Sequence, residues 1–292
     1  MYKFASTDIP DFITVKSIVS VSRTIRNGNE NSNDGEVHDF WEFLCIKKGE
    51  INILVDGEVY HLTPGQLIIY PPHSFHSVAA SHEAIINVVC FATDSRAMSD
   101  FKRTIIDLNE YQLESLTRLV TLGKHLFTLA PPEVYDRGMI PKESTKDYEL
   151  QRVSNMLELF LLDLYETESE EVSQSNVLTI NNANYRSEQF QKLTDYLKSN
   201  LEQNLTLEQI SSDCSISIPN LHRLCRKQCG CGPITYFISL KIGVAKKLIR
   251  QSSLNFTQIS QELGFSTLNY FSKLFKSKTG MTPSEYAKSH YE

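Results

Sequence analysis

The sequence has no uninterrupted apolar run long enough to span a bilayer. The segment from Met1 to Asp8 has no apolar core of the kind a secretory signal needs, so a cytosolic chain without a membrane partner is expected. Cysteine is scarce: six in 292 residues cannot staple a chain of this size, and in a reducing compartment they are expected to be free thiols. There is one tryptophan, Trp41. An overall basic excess is also missing. The net charge is −6, which taken whole argues against a nucleic-acid partner.

The charge is not spread evenly. From Asn184 to Glu292 there are 14 Lys+Arg against 8 Asp+Glu, a net of +6; the remainder holds 15 against 27, a net of −12. A basic tail on an acidic head points to polyanion binding by the tail. The length suits two domains, and the 41% hydrophobic content is that of an ordinary globular protein.

The tail is internally repeated. Ile210-Ser211 and Ile259-Ser260 open two copies. Leu221-His222-Arg223-Leu224-Cys225-Arg226 answers Phe271-Ser272-Lys273-Leu274-Phe275-Lys276. Each copy closes on Gly-x-x-Pro-x-x-Tyr, at Gly230, Pro233 and Tyr236 and again at Gly280, Pro283 and Tyr286. Such a repeat means two similar supersecondary units in series.

In the first unit Thr206 and Gln209 have capping-box spacing, and Leu207, Ile210 and Cys214 form an apolar stripe. Pro219 fits the first turn of a second helix that Gly230 ends. In the second unit Gly264 supplies the turn, and Tyr270, Phe271, Leu274 and Phe275 form the inner face of the next helix. Pro233 to about Arg250 reads as one long helix, a spacer that fixes the separation of the two units.

Helices of this kind enter the major groove, where base edges differ in donors and acceptors. The outward residues Asn220, His222 and Arg223 of the first unit, and Asn269, Ser272 and Lys273 of the second, are the candidate base readers. Arg226, Lys227, Lys276 and Lys278 are candidate phosphate contacts, which add affinity but little sequence information. Any one of them can also be an ordinary solvated residue on an exposed face.

These spacings, together with Ala245-Lys246-Lys247-Leu248-Ile249 and Ile259 to Phe265, resemble the AraC/XylS family of bacterial transcription regulators. The resemblance covers roughly the last 100 residues. It implies a seven-helix domain with two recognition helices in successive major grooves, double-stranded DNA and RNA polymerase as partners, and activation of a nearby promoter. Within the family, analogy points first to a metabolic operon such as one for sugar utilisation. Two positions depart from the usual pattern: Lys241 stands where an arginine is common, and Cys225 replaces a common aromatic.

Residues 37–91 read as short strands separated by tight turns. Phe43–Ile46, Ile51–Val55, Val59–Leu62, Leu67–Tyr70 and Ala84–Phe91 are the strands; Asp56-Gly57 is a strong hairpin signal. His38, Trp41, Glu42, Gly49, Pro64-Gly65 and His76 resemble the cupin-like sensor domain fused to many such regulators. That resemblance implies a barrel that binds a small-molecule effector, and His38, Trp41, Glu42, Tyr70, His73 and His76 are its candidate pocket residues. His38, Glu42 and His76 also occupy places comparable to a cupin metal set, with one of the usual histidines not evident. His and carboxylate ligands suit a divalent transition metal, while the alternative is pocket lining or plain structure. No cofactor is expected.

From Ser99 to about Glu166 the pattern turns helical, with a loop over residues 130–148. Two apolar stripes, Leu113 to Val120 and Val153 to Leu164, suggest a homodimer interface; the alternative is that they pack only on their own barrel.

The expected organisation is α+β: a cupin-like β-barrel over residues 1–95, a helical dimerisation arm over 96–166, a linker over 167–184, and an all-α domain with two helix-turn-helix units over 185–292. Cys225, Cys229 and Cys231 cluster, with Cys214 one helix away, but they lack the paired spacing of structural zinc and read as small buried hydrophobes. The sum is a ligand-responsive DNA-binding regulator rather than an enzyme. A metal-dependent cupin catalyst and an effector-independent architectural protein are the competing readings.

Overall fold

The computed structural model describes residues 7–27, 35–101, 105–131, 138–174, 188–251 and 254–289. In chain order the first half forms β1 (Ser17–Arg26), β2 (Trp41–Lys48), β3 (Ile51–Val55), β4 (Glu58–Leu62), β5 (Gln66–Tyr70), β6 (His76–Ala80), β7 (Ala84–Ala92) and β8 (Ile105–Asp107). Then come α1 (Glu110–Leu126), β9 (Phe127–Leu129), β10 (Met139–Pro141) and α2 (Asp147–Gln174).

Asp56 and Gly57 both take positive φ, 46° and 92°, the geometry a two-residue hairpin turn needs, and Val55 pairs with Glu58 across it. One sheet runs β1-β7-β2-β5-β8, the other β4-β3-β6, with every pairing antiparallel. Strand β2 explains the layering. Leu44 and Ile46 point between the sheets and pack with Ile53, Val55 and Ile68. Phe43 and Cys45 point to the opposite face and meet Leu116, Leu157 and Phe160 of α1 and α2. A strand covered on both sides reads as a continuous apolar run rather than an alternation.

For the stripes themselves, that packing favours the alternative reading of the arm. The stripes of α1 and α2 lie chiefly on the barrel's own sheet: Leu119, Val120, Val153, Leu157, Phe160 and Leu164 are buried within this chain. The region expected to be loop holds β10, whose Ile140 pairs with Thr128 of β9. Helix α2 also runs to Gln174, into the stretch read as linker; residues 175–187, the rest of that linker, lie outside the described residues. β1 and β6 were not anticipated as strands. β1 pairs with β7 along nearly its whole length, a partnership set by residues about seventy positions away.

The second half forms α3 (Glu188–Lys198), α4 (Leu207–Asp213), α5 (Ile218–Cys229), α6 (Pro233–Gln251), α7 (Phe256–Glu262), α8 (Leu268–Thr279) and α9 (Pro283–Lys288), the seven helices expected. Thr206 and Gln209 make the capping box of α4, and Asn255 and Gln258 make the equivalent box on α7. Gly230 and Gly280 end α5 and α8 in the left-handed region. Each unit has its own core, one around Leu221, Cys225 and Tyr236, the other around Phe271, Phe275 and Tyr286. Helix α6 joins them. Its Lys241 is buried and donates to the carbonyls of Gln203 at 2.6 Å and Leu263 at 2.8 Å, between the rings of Phe237 and Phe265.

Candidate functional site

Two surfaces carry the chemistry. The first is the pair of helices α5 and α8. Leu221 and Cys225 fix α5 in its core, which turns Asn220, His222, Arg223, Arg226 and Lys227 to solvent. Arg223 Nη2 donates to Asn220 Oδ1 at 3.2 Å, so these two candidate readers share one patch. On α8 Phe271 and Phe275 are buried, Asn269, Lys273 and Lys276 are exposed, and Ser272 is half-buried.

Two expectations on α8 are corrected. Tyr270 does not belong to the inner face: it is 48% exposed, beside an exposed Leu268, because Phe265 and Phe271 already fill the space beneath it. Lys278 does not extend outward like Lys276. Its ammonium lies 4.4 Å above the ring of Phe75 in the barrel. Leu268 and Tyr270 are thus apolar members of the exposed face of α8, of which the helical pattern had assigned Tyr270 to the core.

The second surface is a cavity of about 940 Å³, lined chiefly by barrel residues and also by Ser277 and Lys278 of α8, within the size range of small-molecule sites. Ser20, Ser22 and Thr24 of β1 line one wall, Glu42 and Cys90 the floor, and His38, His76 and Phe75 the other side. The alternation of small polar residues along Val19 to Thr24 is the signal that marks this wall in the sequence.

Three of the six expected pocket residues line the cavity and three do not. Trp41 packs in the core against the helices. Tyr70 is fully buried behind the floor, where its hydroxyl donates to Glu42. His73 faces away, and its Nδ1 contacts the carbonyl of Thr279 in the DNA-binding half at 2.7 Å. Ser22, Glu36, Phe75 and Cys90 are lining residues that the sequence reading passed over.

The floor is a polar cluster. His38 Nε2 lies 3.1 Å from Glu42 Oε2, and Cys90 Sγ lies 3.2 Å from the same oxygen. Burial works to raise the Glu42 carboxyl, but the bonds from His38 and Tyr70 and the charge of His76 outweigh it and hold the group below its ordinary value. Burial likewise works to lower His76, and Glu36 and Glu42 outweigh it in the other direction. The nearest Glu36 oxygen is 3.6 Å from His76 Nε2, too long for a hydrogen bond, so that buried nitrogen has no hydrogen-bond partner among the described residues. Burial, then Glu42, pushes the Tyr70 hydroxyl well above its ordinary value, which keeps it a donor.

Ligand atoms of His38, Glu42 and His76 lie within 4.8 Å of one another, close enough to converge on one divalent ion. The Glu42 carboxylate is already held by His38, Tyr70 and Cys90 as part of a hydrogen-bonded floor, whereas His76 Nε2 is not held in this way. Cys225, Cys229 and Cys231 are buried and in no disulfide, and burial pushes the Cys229 thiol well up, the environment of an unreactive sulfur.

Residues 20–159 match the AraC-like ligand binding domain family, and residues 210–289 match a helix-turn-helix domain family. The chain belongs to the AraC family of transcription regulators. Among curated relatives of this AraC-family chain, the HTH-type transcriptional activator RhaR of Escherichia coli (strain K12) is 24% identical over 259 residues, covering 85% of each chain. The same activator from Shigella boydii serotype 4 (strain Sb227) matches to the same extent. Among solved structures, ToxT from Vibrio cholerae is 14% identical, covering 93% of this chain and 98% of its own, with a TM-score of 0.36. The C-terminal domain of AraT, a response regulator from Geobacillus stearothermophilus, is 25% identical, covering 36% of this chain and 87% of its own, with a TM-score of 0.34. The relatives are transcription regulators. No described helix is long and apolar enough to cross a membrane.

Proposed function

We propose that this AraC-family chain is an effector-responsive activator that reads two adjacent major-groove segments per protomer. The observation that carries the reading is the pair α5 and α8, whose apolar sides are buried while Arg223, Lys273 and their polar neighbours stand in solvent. Asn220, His222, Arg223, Asn269, Ser272 and Lys273 read bases; Arg226, Lys227 and Lys276 contact phosphates. Their separation is fixed by α6, and the two segments lie about one helical turn apart, ~10 bp.

The barrel cavity takes the effector, with Glu42, His38 and His76 presenting acceptors and donors to a polar small molecule. By family analogy the operon is metabolic, and a sugar is the first class of effector to test. RNA polymerase is the further partner by the same analogy.

The chain acts as a homodimer. Tyr148, Arg152, Asn155, Leu159 and Leu162 follow a 4-3-4-3 spacing on the outer face of α2, with Tyr148, Leu159 and Leu162 exposed by 63%, 54% and 38%. That heptad pattern suits the same helix of a second copy.

Selection of genomic fragments by the purified chain tests the central statement. Enrichment of a few sites with two motif halves one turn apart is expected. Uniform recovery of all fragments at physiological salt would remove sequence-specific reading.

A further inference from the structure

Leu268 and Tyr270 leave large apolar side chains in solvent at the start of α8, while Phe271 and Phe275 take its core positions. One exposed leucine or tyrosine is ordinary on a protein surface. Two within three residues, on a helix whose outer face carries Lys273 and Lys276, form a patch of a different kind. Leu268 is the first residue of α8, and each helical residue turns by about 100° from the last. Leu268 and Tyr270 therefore stand on either side of the exposed Asn269. Ser272 and Lys273 follow one turn further along, beneath Leu268 and Asn269.

This tip is held in place by its own turn. Thr267 Oγ1 accepts from the Tyr270 amide at 3.0 Å, and the Thr267 carbonyl accepts from the Phe271 amide at 3.0 Å. The ring of Phe265 lies 5.1 Å from that of Phe271 and 6.3 Å from that of Tyr270. Phe265 and Phe271 fill the inner side of the first turn, so the side chains flanking Asn269 stay outside it.

The first turn of a recognition helix is the part that reaches base edges. In the major groove asparagine matches adenine, whose N7 accepts and whose N6 donates. The thymine paired with that adenine carries a 5-methyl group in the same groove, and guanine and cytosine offer none. An apolar side chain beside an asparagine thus has a partner on the same base pair or the next one. The first unit differs: Ile218, Pro219 and Asn220 answer Leu268, Asn269 and Tyr270, and Arg223, which answers Lys273, suits guanine.

We propose that Leu268 and Tyr270 are specificity residues of the second unit, packing on the 5-methyl groups of thymines around the adenine read by Asn269, so that α8 selects A·T pairs while α5 selects a guanine through Arg223. The proposal rests on reading α5 and α8 as the DNA-reading pair. Lys276 attracts any polyanion and adds no preference among sequences; the apolar pair adds preference and no charge. A protein partner is the other occupant of the patch. DNA is favoured because the polar residue between the two apolar ones and the cations beside them match base edge and phosphate.

Uracil in place of thymine tests it, since this removes the methyl and leaves every hydrogen-bonding group. The full chain first selects its sites from a random-sequence duplex pool, and each thymine of the recovered site is then replaced singly. One or two thymines at or beside the pair where Asn269→Ala loses preference are expected to respond, with wild-type binding about fourfold weaker to uracil, the effect of one buried methyl. In Leu268→Ser or Tyr270→Ser the ratio of thymine to uracil affinity at the matching position is expected to fall to about one. Both side chains are largely in solvent, so neither variant should melt much below the wild type. A uracil series that binds like thymine throughout overturns the proposal. So does a ratio that stays near four in both variants, or a recovered site with no A·T pair in its Asn269-dependent half. Variants that bind the selected duplex as the wild type does place the two side chains outside the groove and overturn it as well. A chain that enriches no sequence overturns the DNA-reading pair itself, and recovery of a site tells the two failures apart.

Discussion

The Lys241 ammonium donates to the carbonyl oxygen of Leu263 at 2.8 Å, and so ties the strut between the two helix-turn-helix units to the end of α7. Its second bond, to the carbonyl of Gln203, ties the same strut to the entry of the first unit. A single side chain joins both helix-turn-helix units to the spacer.

Lys241→Met should therefore leave two inward carbonyls without a donor and destabilise the chain by about 1–3 kcal/mol. Urea unfolding of wild type and variant measures this. Burial also lowers the Lys241 pKa from 10.5 to about 8. Between those values the unfolded chain holds the proton and the folded chain sheds it, so the wild-type stability relative to Lys241→Met should rise as pH climbs through that window. A difference that stays flat from pH 7 to 10 would show that the ammonium is retained in the fold.

Arg223 and Lys276 should fail differently. Arg223→Ala is expected to cost roughly 1–3 kcal/mol on the selected site and to relax preference at one base pair. Lys276→Ala should weaken all duplexes alike and reduce the salt dependence by about one phosphate contact. Competition binding across a panel of single-base variants separates the two; a uniform loss for Arg223→Ala would reassign it to the backbone.

On the outer face of α2, Leu159→Ser with Leu162→Ser should shift the sedimentation equilibrium from dimer toward monomer. Both side chains are already exposed in the protomer, by 54% and 38%, so its melting should change little. Phe160 points the other way into the core, and Phe160→Ala should cost about 3–5 kcal/mol. An unaltered sedimentation profile for the double variant would place the dimer contact elsewhere.

Glu42 gives an acid signature. Its carboxyl is held below the ordinary 4.5, so the stability it contributes is present above that value and is lost as pH falls through the lower, folded one. The wild type should lose its advantage over Glu42→Gln only below about pH 4.5, read as melting temperature against pH. Parallel acid curves for the two chains would mean that the carboxylate is not held ionised.

Much of this architecture is written locally. The Asp56-Gly57 turn, the Thr206 and Gln209 capping box, and the left-handed ends at Gly230 and Gly280 involve neighbours within a few residues, and each residue type has one dominant use at its place. The candidate site was half legible. His38, Glu42 and His76 do converge, but Trp41 and Tyr70 point elsewhere because a strand's alternation is set by register with distant partners, and His73 because it sits at a left-handed corner between β5 and β6.

By itself, then, the sequence determined the five central strands of the barrel, the duplicated helix-turn-helix units, the basic faces of α5 and α8, and the stiff helix between them, since these follow from period, caps and charge along short stretches. Only the tertiary structure decided that α6 is buried on the side that carries Gly243 and Lys246. Those two look like any small and any charged helical residue until the barrel's turn arrives from 190 positions away. A contact of that separation depends on the shapes of two finished domains, and neither shape is carried by the residues that meet.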